Sequence, residues 1–441
     1  MKMAARQIFQ QTLAAIDIHA AVARRLEREG SRIRIGPSGG SRMEGSEIDL
    51  RDYREIVAIA FGKASVAMAE AFQAALGADF RVDGILVSPQ APTRELQGWR
   101  NFVGGHPLPT AESFAAGREI LERLGQCDER SLVVFLISGG GSSMVEAPLH
   151  EEMGLADFRA MHAVLVSCGA PIEEINVVRK HFSATKGGRL AAAAPRSMKL
   201  TLAVSDVPGG EESALASGPT IPDPSTIADV ERVMSEYGLL EKLPAALQDI
   251  CVQRRMIETP KEKNAAFERA VFDVLLGEHE LVHRAHHCCE AQGIFCMADE
   301  ITDGWPLEKA ADELLTQLAV LQAEHPGKRV AILSGGELSS PVTGDGVGGR
   351  NSAFVLTCVP KIAGKKIVVM SAGTDGIDGN SVAAGAVANG ETLARAEQAG
   401  MEWRKYLARS DAYSFFAALG DAIVSGPTGN NLRDLRVLIS G

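Results

Sequence analysis

The chain has 441 residues, 46% of them hydrophobic and 23% charged, which is enough for two domains with large cores and is the profile of a globular protein in water. A formal net charge of −11 argues against a nucleic-acid surface built from summed basic charge, while leaving room for a local basic pocket around a small anion. The seven cysteines are odd in number and scattered without a CxxC, as reduced thiols are, and no apolar run approaches a membrane span; a cytoplasmic protein is expected.

From Met1 to Glu29, Ile8, Leu13, Ile16, Ala20, Ala23 and Leu26 recur at helical spacing among charged residues, which predicts an amphipathic helix rather than a signal peptide. Ser31 to Gly45 is rich in Gly, Ser and Arg and reads as a loop. Ile56 to Phe61 is the first strong strand; it runs into Gly62-Lys63-Ala64-Ser65 and an alanine-rich helix to about Leu76. A lysine there can grip an anion or simply snorkel. Gly84 to Ser88 is a second strand, Gly104 to Pro107 a turn, and Thr110 to Leu124 a helix.

Leu132 to Ile137, six apolar residues in a row, predicts a fully buried strand. It opens into Ser138, Gly139, Gly140, Gly141, Ser142 and Ser143, where glycines permit a sharp turn with amides open to a phosphate or carboxylate, and a helix can start at the serines. Helices are expected over Leu155 to Ser167 and from Ile172 to about Ser183, with Pro171 in the first turn of the latter. Arg179, Lys180, Lys186 and Arg189 lie close to Gly187 and Gly188 and suit either an anion pocket or a solvated basic face, and His181 suits a structural role. Leu200 to Val204 is a strand ending at Ser205-Asp206, and a carboxylate there can hold Mg²⁺, accept a hydroxyl proton or cap a turn. Strands alternating with helices imply a parallel sheet covered on both faces, with ligands at the strands' carboxyl ends, the address shared by Lys63, the glycine turn and Asp206.

Prolines interrupt short helical pieces between Ile221 and Lys263, and the domain boundary is drawn there. His283, His286, His287, Cys288, Cys289 and Cys296 crowd one stretch, but without paired ligand spacing they read as a helix rather than a metal site. Val330 to Leu333 is a strand ending in Ser334, Gly335, Gly336 and Glu337, an echo of the first glycine turn. A second glycine loop, Thr343 to Ser352, carries Asp345, Gly348, Gly349, Arg350 and Asn351. Ile367 to Met370 is a strand leading to Gly373-Thr374-Asp375-Gly376-Ile377-Asp378-Gly379, whose aspartates suit a hydrated Mg²⁺. A helix over Asp411 to Leu419 and a turn at Ser425 to Asn431 complete the pattern.

Strand-end glycine loops, a few cations and unclustered aspartates are what phosphoryl transfer requires. There is no GxxxxGK[ST], since Val57 stands where Gly62-Lys63 would need its upstream glycine, and no protein-kinase motif set. Gly344, Gly346 and Gly349 spell GxGxxG, the mark of a nicotinamide oxidoreductase, but Ser339 to Thr343 is a poor preceding strand and Lys366 stands where an acid is needed. A non-catalytic protein binding small acids is the third class.

Taken together, Gly62–Ser65, Ser138–Ser143, NVVRKHFSATKGGRLA (176–191), SDVPGG (205–210), ASGPTIPDP (216–224), SGGE (334–337), GDGVGGRN (344–351), GTDGIDG (373–379), AYSFF (412–416) and SGPTGNN (425–431) resemble the class II glycerate kinases, whose C-terminal part is the MOFRL domain. The resemblance implies two α/β domains, residues 1–245 with a Rossmann-like three-layer parallel sheet and residues 246–441 containing the MOFRL region at about 328–435, with an interdomain cleft; the first helix is free to pack on the other domain. It implies ATP- and Mg²⁺-dependent phosphorylation of D-glycerate, most simply at the 2-hydroxyl, although relatives also carry the name hydroxypyruvate reductase. Lys63 and Arg350 are the implied catalytic or substrate-binding residues, and Asp206 at its strand end is a further catalytic candidate, as base or metal ligand. Ser138 to Ser143, Lys180, Lys186, Arg189, Gly335, Gly336, Glu337, Gly348, Gly349 and Asn351 are the candidate binding residues, and Asp206 and Asp375 the candidate metal ligands. Small-molecule substrates, no nucleic acid and no membrane are the expected partners, and a homodimer is compatible with the pattern. Gly210-Glu211 departs from the two aspartates usual after this turn.

Overall fold

The computed structural model describes residues 1–36, 45–429 and 431–441, and divides into two compact units, Ile18–Leu275 and the pair of segments Met1–Asp17 and Leu276–Gly441. Its strands are β1 (Leu26–Glu29), β2 (Arg32–Ile35), β3 (Glu47–Asp49), β4 (Glu55–Phe61), β5 (Val82–Ser88), β6 (Trp99–Val103), β7 (Ser131–Ser138), β8 (Met198–Val204), β9 (Ala270–Leu276), β10 (Phe295–Asp299), β11 (Val330–Ser334), β12 (Ile367–Gly373), β13 (Gly385–Asn389), β14 (Ala422–Ile423) and β15 (Asp434–Ser440).

The first unit is built on a six-stranded sheet ordered β6-β5-β4-β7-β8-β9, in which β6 through β8 pair in parallel. This is the doubly wound order, with its reversal between β4 and β7. The continuous apolar run expected for a doubly covered strand is β7, every residue of which is buried. Val57, Ile59, Phe61, Val133, Phe135 and Ile137 meet Ala116, Ile120 and Leu124 of the helix Ala111–Gly125 and Leu190 of Arg189–Ala193. The helix Ser65–Leu76 packs on β4, β5 and β7. Right-handed crossovers that run in opposite directions from the reversal put this helix on the other face. A separate helical core, including Phe158, Leu165, Val178, Phe182, Val230 and Leu247, fills the long connection from β7 to β9. The expected boundary at 245/246 falls inside this unit, at the start of the helix Ala245–Val252. β1, β2 and β3 form a small antiparallel sheet.

The second unit carries a mixed sheet ordered β10-β11-β15-β12-β13-β14, parallel between β10 and β11 and antiparallel elsewhere. Helix Lys2–Ala15 packs against β12, β13 and β15 and against the helix Glu278–Ala291. None of the described helices is long and apolar enough to cross a membrane.

Several local expectations need correction. The amphipathic stretch to Glu29 is two helices, Lys2–Ala15 and Ile18–Arg25, followed by β1. The break resets the helical phase: Ala20 and Ala23 are exposed, and Ile18, Ala21, Val22 and Arg25 are buried instead. The loop expected from Ser31 contains β2, pinned to β1 by alternating Ile33 and Ile35; residues 37–44 of that stretch lie outside the described residues. The His/Cys helix ends at Ala291, and Cys296 belongs to β10.

Gly84 of β5 sits opposite Trp99 of β6, and the indole lies where a side chain would be, with Nε1 donating to Gln73 Oε1 at 3.1 Å. Replacing Gly84 with Ala forces the ring away from a well-packed edge. Gly84→Ala is expected to destabilise the protein by about 1–3 kcal/mol, read as a lowered urea midpoint.

Candidate active site

At the reversal of the first sheet, β4 and β7 end side by side and their loops lock together. Gly62 has φ +116°, and a Cβ there would strike the Ser138 backbone, so the glycine is required by close approach as well as by conformation. Lys63 N–H donates to Gly139 O at 2.9 Å, and Ala64 N–H to Ser138 Oγ at 2.9 Å. Ser138 therefore acts as a brace between the loops. On the other side a Cβ on Gly139 would collide with the Asp206 carboxylate, which descends from the end of β8. Lys63, the glycine turn and Asp206 thus share one rim, as their strand-end positions imply.

The serines that follow start a helix of four residues, Gly141–Met144. Ser142 Oγ lies 2.8 Å from Ser217 Oγ, and Ser143 Oγ lies 3.4 Å from His106 Nδ1. His106 was not singled out from the sequence. It lies beside Gly140 and Lys63, and burial, reinforced by the Lys63 charge, holds its pKa below the usual imidazole value.

The four cations of 179–189 do not converge on one point. Lys180 Nζ is buried and donates to Asp223 Oδ1 at 3.0 Å. Arg189 reaches the carbonyls of Ile257 and Glu258, away from the turn. Lys186, 3% exposed, donates to Glu146 Oε2 at 2.5 Å, and Arg179 packs against His162. Lys186 and Arg179 share a small cavity with Ser142 and Ser143, whereas Lys180 and Arg189 are held by other partners. Consecutive helical residues point about 100° apart, so Arg179 and Lys180 serve different neighbourhoods.

In the second unit the loop of Gly348, Gly349, Arg350 and Asn351 opens the helix Arg350–Cys358. Amides in and beside it are already taken: Val347 N–H by Asp411, Gly348 N–H by Asn380, and those of Gly349, Asn351 and Ser352 by the Asp378 carboxylate, at 2.9–3.2 Å. Asp378, 1% exposed, is an internal anion occupying the position a ligand anion would need. Burial raises its pKa despite those donors. Arg350 is held by Asp434, through Nε at 2.5 Å and Nη2 at 3.3 Å, and by Glu337 at 2.7 Å. Burial works against its charge, but those carboxylates raise its pKa. Asn351 Oδ1 accepts from Ser371 Oγ at 2.5 Å.

The SGGE turn is braced from behind: a Cβ on Gly335 or Gly336 would meet Glu278 or Asp303, and Asp303 accepts from Glu337 N–H at 2.8 Å. Both carboxylates grip Arg433. Asp375 lies near Asp434 across Gly373, and its Oδ1 accepts from Ile377 N–H at 3.0 Å. A cavity of about 880 Å³ opens over this loop system, with Leu338, Arg350, Asn351, Asp375, Ile377 and Leu407 in its wall. Among the described residues no three His, Cys, Asp or Glu side chains are grouped to hold a metal ion, the His283–Cys296 stretch included. Asn430 of the last motif lies outside the described residues. Ser339 to Thr343 contributes an isolated bridge from Ser339 to Pro306 and no strand, so the GxGxxG there lacks a dinucleotide-binding frame.

A doubly wound sheet with a lysine, a glycine turn and an aspartate at its reversal defines an α/β protein that takes a small polar ligand at its strand ends. The chain matches the family described as Domain of unknown function (DUF4147) over residues 4–252 and the MOFRL family over residues 330–434. It is 38% identical over 397 residues to a putative hydroxypyruvate reductase of Agrobacterium vitis, covering 87% of each chain. It is 32% identical to the D-glycerate 2-kinase of Thermotoga maritima, covering 86% of this chain and 89% of that one. The crystal structure of a glycerate kinase from Thermotoga maritima superposes with a TM-score of 0.82 at 28% identity, over 100% of this chain and 99% of that one. The chain belongs to the class II glycerate kinase family.

The Lys180–Asp223 pair distinguishes structural from binding cations. Lys180→Ala leaves a buried carboxylate without its cation and is expected to cost about 3 kcal/mol of stability in urea titrations, with substrate KM values unchanged in the folded fraction.

Proposed function

We propose that this protein catalyses ATP-dependent phosphorylation of D-glycerate, most simply at the 2-hydroxyl. The observation that carries this reading is the convergence of Lys63, the Ser138–Ser143 turn and Asp206 on one rim at the reversal of a doubly wound sheet. Kinships with proteins named D-glycerate 2-kinase and glycerate kinase support the same substrate and reaction class.

In this reading the substrate hydroxyl attacks the γ-phosphorus of ATP, the new O–P bond forms as the bond to ADP breaks, and Asp206 takes the hydroxyl proton. Lys63 offsets charge on the transferring group, aided by the amides of the glycine turn that are not already bonded. The 880 Å³ cavity of the second unit has a volume suited to a nucleotide, with apolar wall from Leu338, Ile377 and Leu407 and polar contacts from Asn351 and Asp375. Arg350 lines this cavity, its guanidinium fixed between Asp434 and Glu337. Mg²⁺ would be held chiefly by the nucleotide's phosphates with a single carboxylate, either Asp375 beside the second unit's cavity or, where it does not serve as the base, Asp206 at the first unit's rim; an ion bound through one carboxylate plus phosphates needs no larger protein cage. When bound, Mg²⁺ supplies charge neutralisation on the phosphates.

The test is product formation from D-glycerate, ATP and Mg²⁺, with the position of the phosphate read by NMR, beside a parallel assay of hydroxypyruvate with NADH or NADPH. Phosphoglycerate is the expected product; nicotinamide oxidation without it would turn the assignment to a reductase. Lys63→Ala and Arg350→Ala are each expected to lower turnover by about 10²-fold or more, the scale of a lost donor at developing charge. Near-normal turnover in Lys63→Ala removes that lysine from the reaction.

A further inference from the structure

Behind Ser142 and Ser143 lies a cation that the mechanism above does not use. Arg179 is 9% exposed, and its Nη2 donates to His162 Nε2 at 2.7 Å. That partner is neutral, because burial, with Arg179 and Lys186 beside it, drives the His162 pKa down to about 4. Among the described residues the Arg179 Nε–H has no hydrogen-bond acceptor. The carboxylate nearest in charge, Glu146, is already engaged: Oε1 accepts from Ser183 Oγ and Ala147 N–H, and Oε2 from Lys186 Nζ. Two buried cations therefore share one committed carboxylate. An uncompensated charge with an open donor, this far from water, is costly unless an anion arrives to meet it.

The space for that anion is small. Ser142, Ser143, His162, Arg179 and Lys186, with the already engaged Glu146, line a cavity of about 10 Å³ whose remaining wall is apolar, room for one oxygen-sized group. A phosphoryl group, with three terminal oxygens on a tetrahedral centre, overfills it. A planar carboxylate can put one oxygen inside against the guanidinium and leave the other at the serine hydroxyls.

We propose that the Arg179 cavity is the subsite for the carboxylate of a small hydroxy acid, held by the open edge of the guanidinium and oriented by Ser142 and Ser143. Assigning that carboxylate to D-glycerate rests on the kinase reading; the subsite itself does not. The arrangement explains why the serines belong to the glycine turn: one loop then positions both the acid and the phosphoryl group it receives.

The test uses the full chain, its Arg179→Gln and Arg179→Lys variants, and calorimetric titration with glycolate, D-glycerate and the uncharged ethylene glycol. Wild-type protein is expected to bind both acids and not the diol. Arg179→Gln should bind the acids about 10- to 100-fold more weakly, the range of one lost charge-assisted hydrogen-bond set, and Arg179→Lys should lose at least about tenfold because the ammonium lacks the planar fork. In turnover assays glycerate KM should rise while ATP KM stays unchanged. Wild-type affinity for glycolate in Arg179→Gln overturns the proposal, as does a wild-type protein that does not prefer glycolate to ethylene glycol. If Arg179→Gln fails to fold, Arg179→Lys decides by the same rule. Arginine-dependent glycolate binding without phosphoglycerate formation would uphold the subsite and reject the kinase reading.

Discussion

Where β4 and β7 end, the first unit depends on two missing methyl groups. A Cβ at Gly62 would push Ser138 away, and one at Gly139 would displace Asp206. Without them, the ends of β4 and β7 close to within hydrogen-bonding distance, Ser138 Oγ and Gly139 O hold the amides of Ala64 and Lys63, and the Asp206 carboxylate packs against Gly139. The lysine, the turn and the aspartate owe their common address to this contact. Because the strands beneath are buried on both faces, the positions above them are fixed by a stiff base.

The two units use glycine for opposite electrical ends. In the first, glycines bring loop backbone close to polar side chains while Ser142 and Ser143 still line a cavity. In the second, the amides around Gly349 are spent on Asp378, and the loop's Arg350 is engaged by Asp434 and Glu337. That loop is internally neutralised and correspondingly well defined, and its cavity is shaped for volume more than for charge. Similar glycine content therefore gives no guide to which loop meets an anion; the bookkeeping of donors does.

What could be read in advance follows from how each signal arises. β4 and β7 announce themselves because a doubly covered strand must be apolar throughout, and strand-end positions for Lys63 and Asp206 follow at once. β15 did not, since DLRVLIS carries Asp434 and Arg436, and the wholly buried Arg436 is tolerated because its guanidinium donates to Ser334 Oγ and Gly336 O. That solution needs a strand distant in sequence, so no local pattern displays it. The same holds for the cations after Ile172. Their presence was legible, but which ones lie beside the turn depends on helical phase and on remote acids such as Asp223 and Glu146, so no local pattern separates Arg179, which shares a cavity with the serines, from Lys180, which does not. His106 was missed because nothing in its turn marks it, and Asp378, read with Asp375 as suited to Mg²⁺, instead accepts the amides of Gly349, Asn351 and Ser352, a role that depends on a loop nearly thirty residues away.

The pairing of Met1–Asp17 with Leu276–Gly441 has a consequence for synthesis. Residues 18–275 are contiguous and can collapse as soon as they leave the ribosome. The helix Lys2–Ala15 emerges earlier still, yet the strands it covers, β12, β13 and β15, are made several hundred residues later, and β15, in the middle of its sheet, is made after all its neighbours. Until then an apolar helix face, with Ile8 and Phe9 at its centre, and the edges of β11 and β12 stay open to water. Such surfaces attract chaperones and neighbouring nascent chains. The order of translation thus makes the second unit the aggregation-prone half of the molecule, even though both halves end with well-packed cores.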